Sequence, residues 1–145
     1  MSEFSPHAAA GAATGVLMAG GALCYGLTWD ASLMCGVASF IGALSPDMDV
    51  KSHSSRICYA LVLIGSALLM WFEHILLGFM LLAYSVIPQL VTHRGAWHTF
   101  TAGAVTSLIL SAILYFIYGF GGEPSVAVGW SFLIGYLTHL ALDEV

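Results

Sequence analysis

Hydrophobic positions in this chain gather into six runs, roughly 8–27, 31–45, 57–72, 75–91, 99–119 and 126–142, with polar residues collected at the junctions. A membrane-spanning helix takes about 20 residues, and fewer where polar ends anchor it or the bilayer is thin. Runs one and five meet that length easily, while runs two, three and four are short. The pattern predicts an all-α protein, an integral membrane bundle of about six transmembrane helices forming a single domain over residues 1–145. The first run is crowded with small residues, among them Ala8, Ala9, Ala10, Gly11, Gly15, Gly20 and Gly21, which suits close packing inside a bundle or against a second copy of the chain. Pro88 predicts a kink in run four, and Gly121-Gly122-Glu123-Pro124 predicts a turn. Residues 57–91 can be read as a hairpin about Glu73-His74 or as one long tilted helix. The interfacial character of Trp71, Glu73 and His74 favours the hairpin.

Composition sharpens the picture. The chain has 145 residues, of which 59% are hydrophobic and only 8% charged, and its mean hydropathy is +0.92. A soluble domain carries about a quarter charged residues. The net charge of -5 leaves no basic stripe for nucleic acid. Cys24, Cys35 and Cys58 all stand in apolar runs without CxxC spacing, and are expected to be buried free thiols. The start, Met1-Ser2-Glu3-Phe4-Ser5-Pro6, lacks the basic segment of a cleavable signal, so the first run is expected to be retained.

With charge this sparse, its placement carries information. Six spans bring alternate junctions to the same side. His7, then Asp47, Asp49 and His53, then His93 and His98, then His139 and Asp143 fall on one face, while Asp30, Glu73, His74 and Glu123 fall on the other. Lys51, Arg56 and Arg94 are the only basic side chains and share the histidine face. The positive-inside rule makes that face cytoplasmic, with both termini on the cytoplasmic side of a multi-pass protein of the inner or plasma membrane.

Imidazoles and carboxylates at span ends are the donor types that zinc and other transition metals take. His139 and Asp143, at i and i+4, project from one helix face, as two ligands or as a hydrogen-bonded helix-end pair. Asp47 and Asp49 follow Pro46 with a spacing that suits a chelating loop and equally an ordinary solvated turn. His93 and His98 flank Gly95 at the entry to run five. There Thr99 and Thr101 are cap candidates, leaving helix N–H groups for an anion. Arg94 offers a guanidinium fork for phosphate or carboxylate, or else snorkels at the interface. His53 reads as a loop residue, and Glu73 and His74 are set aside because parity sends them to the far face.

The ordered set His-x-x-x-Gly, Pro-Asp-x-Asp, His-Arg-Gly-x-x-His and His-x-x-x-Asp, running from His7 to Asp143, resembles the YdjM-like membrane-bound metal-dependent hydrolases. The His-Arg-Gly-x-x-His element after Pro-Asp-x-Asp is the specific part. The resemblance implies that His7, Asp47, Asp49, His93, His98, His139 and Asp143 are metal-site positions. It points more remotely to the zinc-dependent phospholipase C and single-strand nuclease group. Val50, Trp97 and Thr99 depart from the family pattern, and the sequence stops two residues after Asp143, where relatives usually continue.

The expectation is a membrane-bound hydrolase of phosphoesters, phospholipid headgroups included, with two or more divalent ions, zinc foremost. Seven ligands exceed the three or four of a single zinc. Asp49 and Asp143 are the candidate proton acceptors, and Arg94 the candidate partner for developing negative charge. Membrane lipids and a small or lipid phosphoester are the expected partners, with no nucleic acid. The competing reading is a non-catalytic membrane scaffold with a structural or degenerate metal site. A divalent-cation transporter fits less well, because these ligands stand at span ends rather than at the midplane.

Overall fold

A computed structural model describes residues 4–49, 53–86 and 96–143. Six α-helices follow one another: α1 (Phe4–Tyr25), α2 (Trp29–Leu44), α3 (His53–Trp71), α4 (Ile75–Val86), α5 (Phe100–Phe116) and α6 (Gly122–Asp143). Short 3-10 turns occupy Pro46–Asp49 and Ala96–His98, and no strand occurs among the described residues. The all-α expectation holds. Of the six helices, Pro6–Tyr25 within α1 and Gly122–Asp143 are long and apolar enough to cross a membrane; the apolar parts of the other four run 10–17 residues.

The helix ends show why the runs break where they do. After α1, Gly26 takes φ 101°, its N–H reaches Leu23 O, and Leu27 N–H reaches Ala22 O. This paired return is a Schellman ending, built on the left-handed residue that glycine adopts without strain. The same motif ends α3 without a glycine: Glu73 sits at φ 66°, donating to Met70 O, while His74 donates to Leu69 O at 2.8 Å. The chain therefore turns at Glu73-His74 between α3 and α4, and one continuous helix through this point is excluded. At the other end of the chain the expected turn at Gly121–Pro124 is corrected. Gly122, Glu123 and Pro124 form the first turn of α6, where a proline has no helical N–H to lose and an acid meets the positive end of the helix dipole. The Pro88 kink falls outside the described residues.

Two compact units make up the chain, one formed by residues 3–46 and 98–145, the other by 47–97. In the first, α2 packs against both α1 and α6, and α5 lies on α6. Small residues let these backbones touch. A Cβ at Gly135 of α6 would run into the carbonyl of Ser39 on α2, and one at Gly42 of α2 into the carbonyl of Phe132 on α6. Ser107 Oγ of α5 donates to Gly129 O of α6 at 2.7 Å, binding that pair. The core of the unit holds Ala31, Cys35, Leu114, Phe132 and Tyr136, while Val16, Leu17, Leu108, Phe116 and Trp130 face outward, as lipid-solvated side chains do. Cys35 is buried as expected; Cys24 is not, because it lies on the outward side of α1. The Cys58 side chain lies outside the described residues.

The second unit holds the α3–α4 hairpin, with Ala96 and Trp97 at its C-terminal margin. A Cβ at Gly78 would lie 2.9 Å from Ser66 O, so the two helices meet closely there. Trp71 and Phe72 stand exposed at the hairpin tip, and Trp97 packs on Tyr84 with ring centroids 5.6 Å apart.

Candidate functional site

Three segments of the first unit converge on one carboxylate. His7 lies near the start of α1, His98 just before α5, and His139 and Asp143 one turn apart on the last two turns of α6. Asp143 Oδ1 is 3.3 Å from His7 Nε2, and its Oδ2 lies 3.4 Å from His139 Nε2 and 3.7 Å from His98 Nε2. The rings of His7 and His139 stack at 4.3 Å, and His98 meets His139 edge-on at 5.9 Å. His139 is 0% exposed and His7 only 5%, while the Asp143 side chain retains 23%. The cluster is thus closed toward the protein and open along the carboxylate.

Local sequence sets this up. His139 and Asp143 share a helix face by their i, i+4 spacing, as the sequence indicates. His98 is fixed by the entry to α5, where Thr99 is extended and its Oγ1 accepts from Ala102 N at 3.2 Å, an N-cap. His7 is inside α1 rather than ahead of it, because the helix begins at Phe4 instead of near residue 8. Gly11 and Gly15, one and two turns further on, bring α1 down onto Ala43 and Gly36 of α2.

One participant is not a side chain. His139 Nδ1 lies 2.7 Å from the carbonyl of Ala43. α2 stops at Leu44, so Ala43 is among the terminal residues whose carbonyls lack a helical donor. The imidazole supplies it, donating Nδ1–H. This assigns the proton to Nδ1 and leaves the Nε2 lone pair facing Asp143, the arrangement by which ligating histidines are oriented. Nothing in the sequence marks Ala43, since any residue type offers the same carbonyl.

The donor set can be tested against a metal. Charge-assisted N–H···O contacts close to about 2.7–2.9 Å. Two ligands about 2.0–2.1 Å from one tetrahedral zinc stand about 3.3–3.4 Å apart. The His7 and His139 spacings, 3.3 and 3.4 Å, are of the second kind, and the 3.7 Å spacing to His98 is longer than either. The ligand atoms of His7, His139 and Asp143 all lie within 4.8 Å of one another. The buried Nδ1 of His7 finds no hydrogen-bond partner among the described residues. Three imidazoles and a carboxylate are a donor set that zinc accepts.

Of the seven expected ligands, then, the structure brings His7, His98, His139 and Asp143 together. Asp47, half-buried, and Asp49 belong to the 3-10 turn after α2, in the second unit, rather than to an extended loop. His93 and Arg94 lie outside the described residues. A separate groove between α1, α2 and α6 shares no residue with the cluster.

Among known proteins, the family model described as YdjM inner membrane protein matches residues 1–145, the whole chain. No curated protein and no solved structure matches it. That match, together with two helices long and apolar enough to cross a bilayer, makes this a membrane protein. The chain belongs to the YdjM inner membrane protein family.

Proposed function

We propose that the protein is a membrane-bound, metal-dependent hydrolase of phosphoesters, with its site at the cytoplasmic face. The observation that carries this reading is the convergence of His7, His98 and His139 on Asp143 at spacings suited to shared ligation. Zinc held there would supply Lewis acidity and water acidified to neutral pH. The sequence pattern adds Asp47, Asp49 and His93 as ligands for more than one ion.

The protein's own groups divide the remaining work. The Ala43 carbonyl holds the His139 ring and its tautomer. Burial of His7 and His139 keeps bulk water from one side of the cluster. Asp143, the most exposed member, would accept a proton from water approaching the open side through whichever carboxylate oxygen is not engaged as a ligand. The first N–H groups of α5, directly after His98, lack helical acceptors, and apart from Ala102 N–H, which Thr99 caps, they suit a phosphate oxygen. Arg94 stands four residues before His98 in the chain and would supply the fixed positive charge. Six spans, by parity and the position of the three basic residues, put both termini in the cytoplasm.

Metal analysis of the purified chain tests the proposal. One or more zinc ions per chain are expected, lost in His7→Ala and in Asp143→Ala, together with hydrolysis of a generic phosphodiester. Metal bound without hydrolysis would leave the scaffold reading in its place; no metal in protein prepared with zinc would end both.

A further inference from the structure

A groove of about 220 Å³ opens between α1, α2 and α6. Leu17, Gly21 and Tyr25 of α1 form one wall, Cys35 of α2 the floor, and Ala127 and Ser131 of α6 the other wall. Close contact at the His7 end of α1 gives way to open space further along it. At the cluster end His7 stacks on His139 and Gly15 touches Gly36, whereas a Cβ at Gly20 or Gly21 would meet nothing within 4 Å.

Helix rise gives the depth. Leu17 and Tyr25 lie ten and eighteen residues beyond His7, and Ser131 and Ala127 lie eight and twelve before His139. At about 1.5 Å per residue the groove occupies about 12–27 Å from the cluster. The hydrocarbon core is about 30 Å thick, so a helix pair that crosses it carries this groove through the leaflet away from the cluster. The groove ends at Tyr25, and exposed Trp29 follows at the start of α2, as aromatic residues do at an interface. From Leu17 to Tyr25 is about 12 Å, close to the depth of one leaflet. A helix from a second copy would find only two turns of wall there.

Charge selects the headgroup. This unit contains no lysine or arginine. At the outer end of the groove, Glu123 stands one turn before Ala127 on the same face of α6, and Asp30 follows the lining residue Leu27 by three positions. Both carboxylates are exposed. A hydrogen bond from Thr28 holds the Asp30 carboxyl below its ordinary range, so it is charged at neutral pH.

We propose that this groove is a lipid site, holding one acyl chain of an amine-headed phospholipid drawn from the leaflet opposite the His–Asp cluster. The proposal is independent of the hydrolase reading and rests on α1 and α6 both crossing the membrane.

The test uses the full chain, delipidated in detergent and titrated with dioleoyl phosphatidylethanolamine or dioleoyl phosphatidylglycerol, with bound lipid counted by native mass spectrometry. The first phosphatidylethanolamine should bind at least tenfold more tightly than the second, and tenfold more tightly than phosphatidylglycerol. Gly21→Leu fills the groove and should weaken that first site at least tenfold. Gly20→Leu adds the same bulk next to the groove, into equally open space, and should leave it unchanged. Asp30→Asn with Glu123→Gln should abolish the headgroup preference while the chain site persists. The proposal is overturned by the absence of a preferred first lipid, by equal binding to Gly21→Leu, or by a dimer that Gly21→Leu dissociates.

Discussion

His139 performs two tasks with two nitrogens, and substitutions can separate them. Nδ1 satisfies the Ala43 carbonyl, and Nε2 faces Asp143. His139→Ala removes both. The orphaned carbonyl costs about 1–3 kcal/mol, and truncation of a fully buried ring adds a cavity cost in the range of about 2–5 kcal/mol. Water entering from the Asp143 side offsets part of this, so the lower half of the combined range, about 3–5 kcal/mol, is expected. His139→Asn differs in kind. Its amide nitrogen is the same number of bonds from Cα as Nδ1, so it can still donate to Ala43, while nothing remains at the Nε2 position. The Asn variant should therefore lose no more than about 2 kcal/mol, the cost of the smaller void. Its zinc affinity should nevertheless fall by more than about 100-fold, beyond the usual effect of losing an outer-shell partner. Thermal unfolding in one detergent, paired with metal content after dialysis against a zinc buffer, reads both quantities. An Asn variant as unstable as Ala would refute the assigned role of Nδ1. One that retained zinc would refute that of Nε2.

Two further substitutions test the scaffold. Glu73 is a non-glycine residue at φ 66° closing α3, so Glu73→Gly should stabilise the hairpin by about 1 kcal/mol and raise its melting temperature; a lower one would show that the glutamate side chain contributes more than the strain costs. Gly135→Ala drives a methyl into the Ser39 carbonyl and should cost about 1–3 kcal/mol by forcing α6 off α2, with loss of zinc as His139 shifts; unchanged melting and metal content would mean that the seam is not tightly packed.

What the sequence made readable depended on how local each cause was. Runs of apolar residues located all six helices, because hydrophobic continuity persists over whole elements. Their ends were less visible. α6 starts at Gly122 rather than near 126, since a Gly-Glu-Pro segment serves equally as a turn or as a first helical turn. The turn at Glu73 carried no glycine, proline or asparagine signal; it is dictated by close packing of α4 on α3 around Gly78 and Ser66. Within the cluster, the His139–Asp143 pair followed from helix period alone. The approach of His7 and His98 needed tertiary packing, which span parity and the order of motifs suggested without specifying the contacts. The Ala43 carbonyl was invisible, being a backbone atom exposed by the place where a helix stops.

The backbone contact between α2 and α6 has a mechanical consequence. Ser39 against Gly135, Phe132 against Gly42 and Ala43 against His139 fasten these helices at successive levels. Neither can slide or rotate by a fraction of a turn without breaking all three. α1, by contrast, is mostly exposed beyond Gly15 and carries His7 at its tip. Its His7 end is nevertheless held, because Gly11 and Gly15 rest on Ala43 and Gly36 of α2, so the free length of α1 is the end away from the cluster. On the proposed metal reading, an ion of different radius would have to be accommodated by the side chains around Asp143 rather than by helix movement.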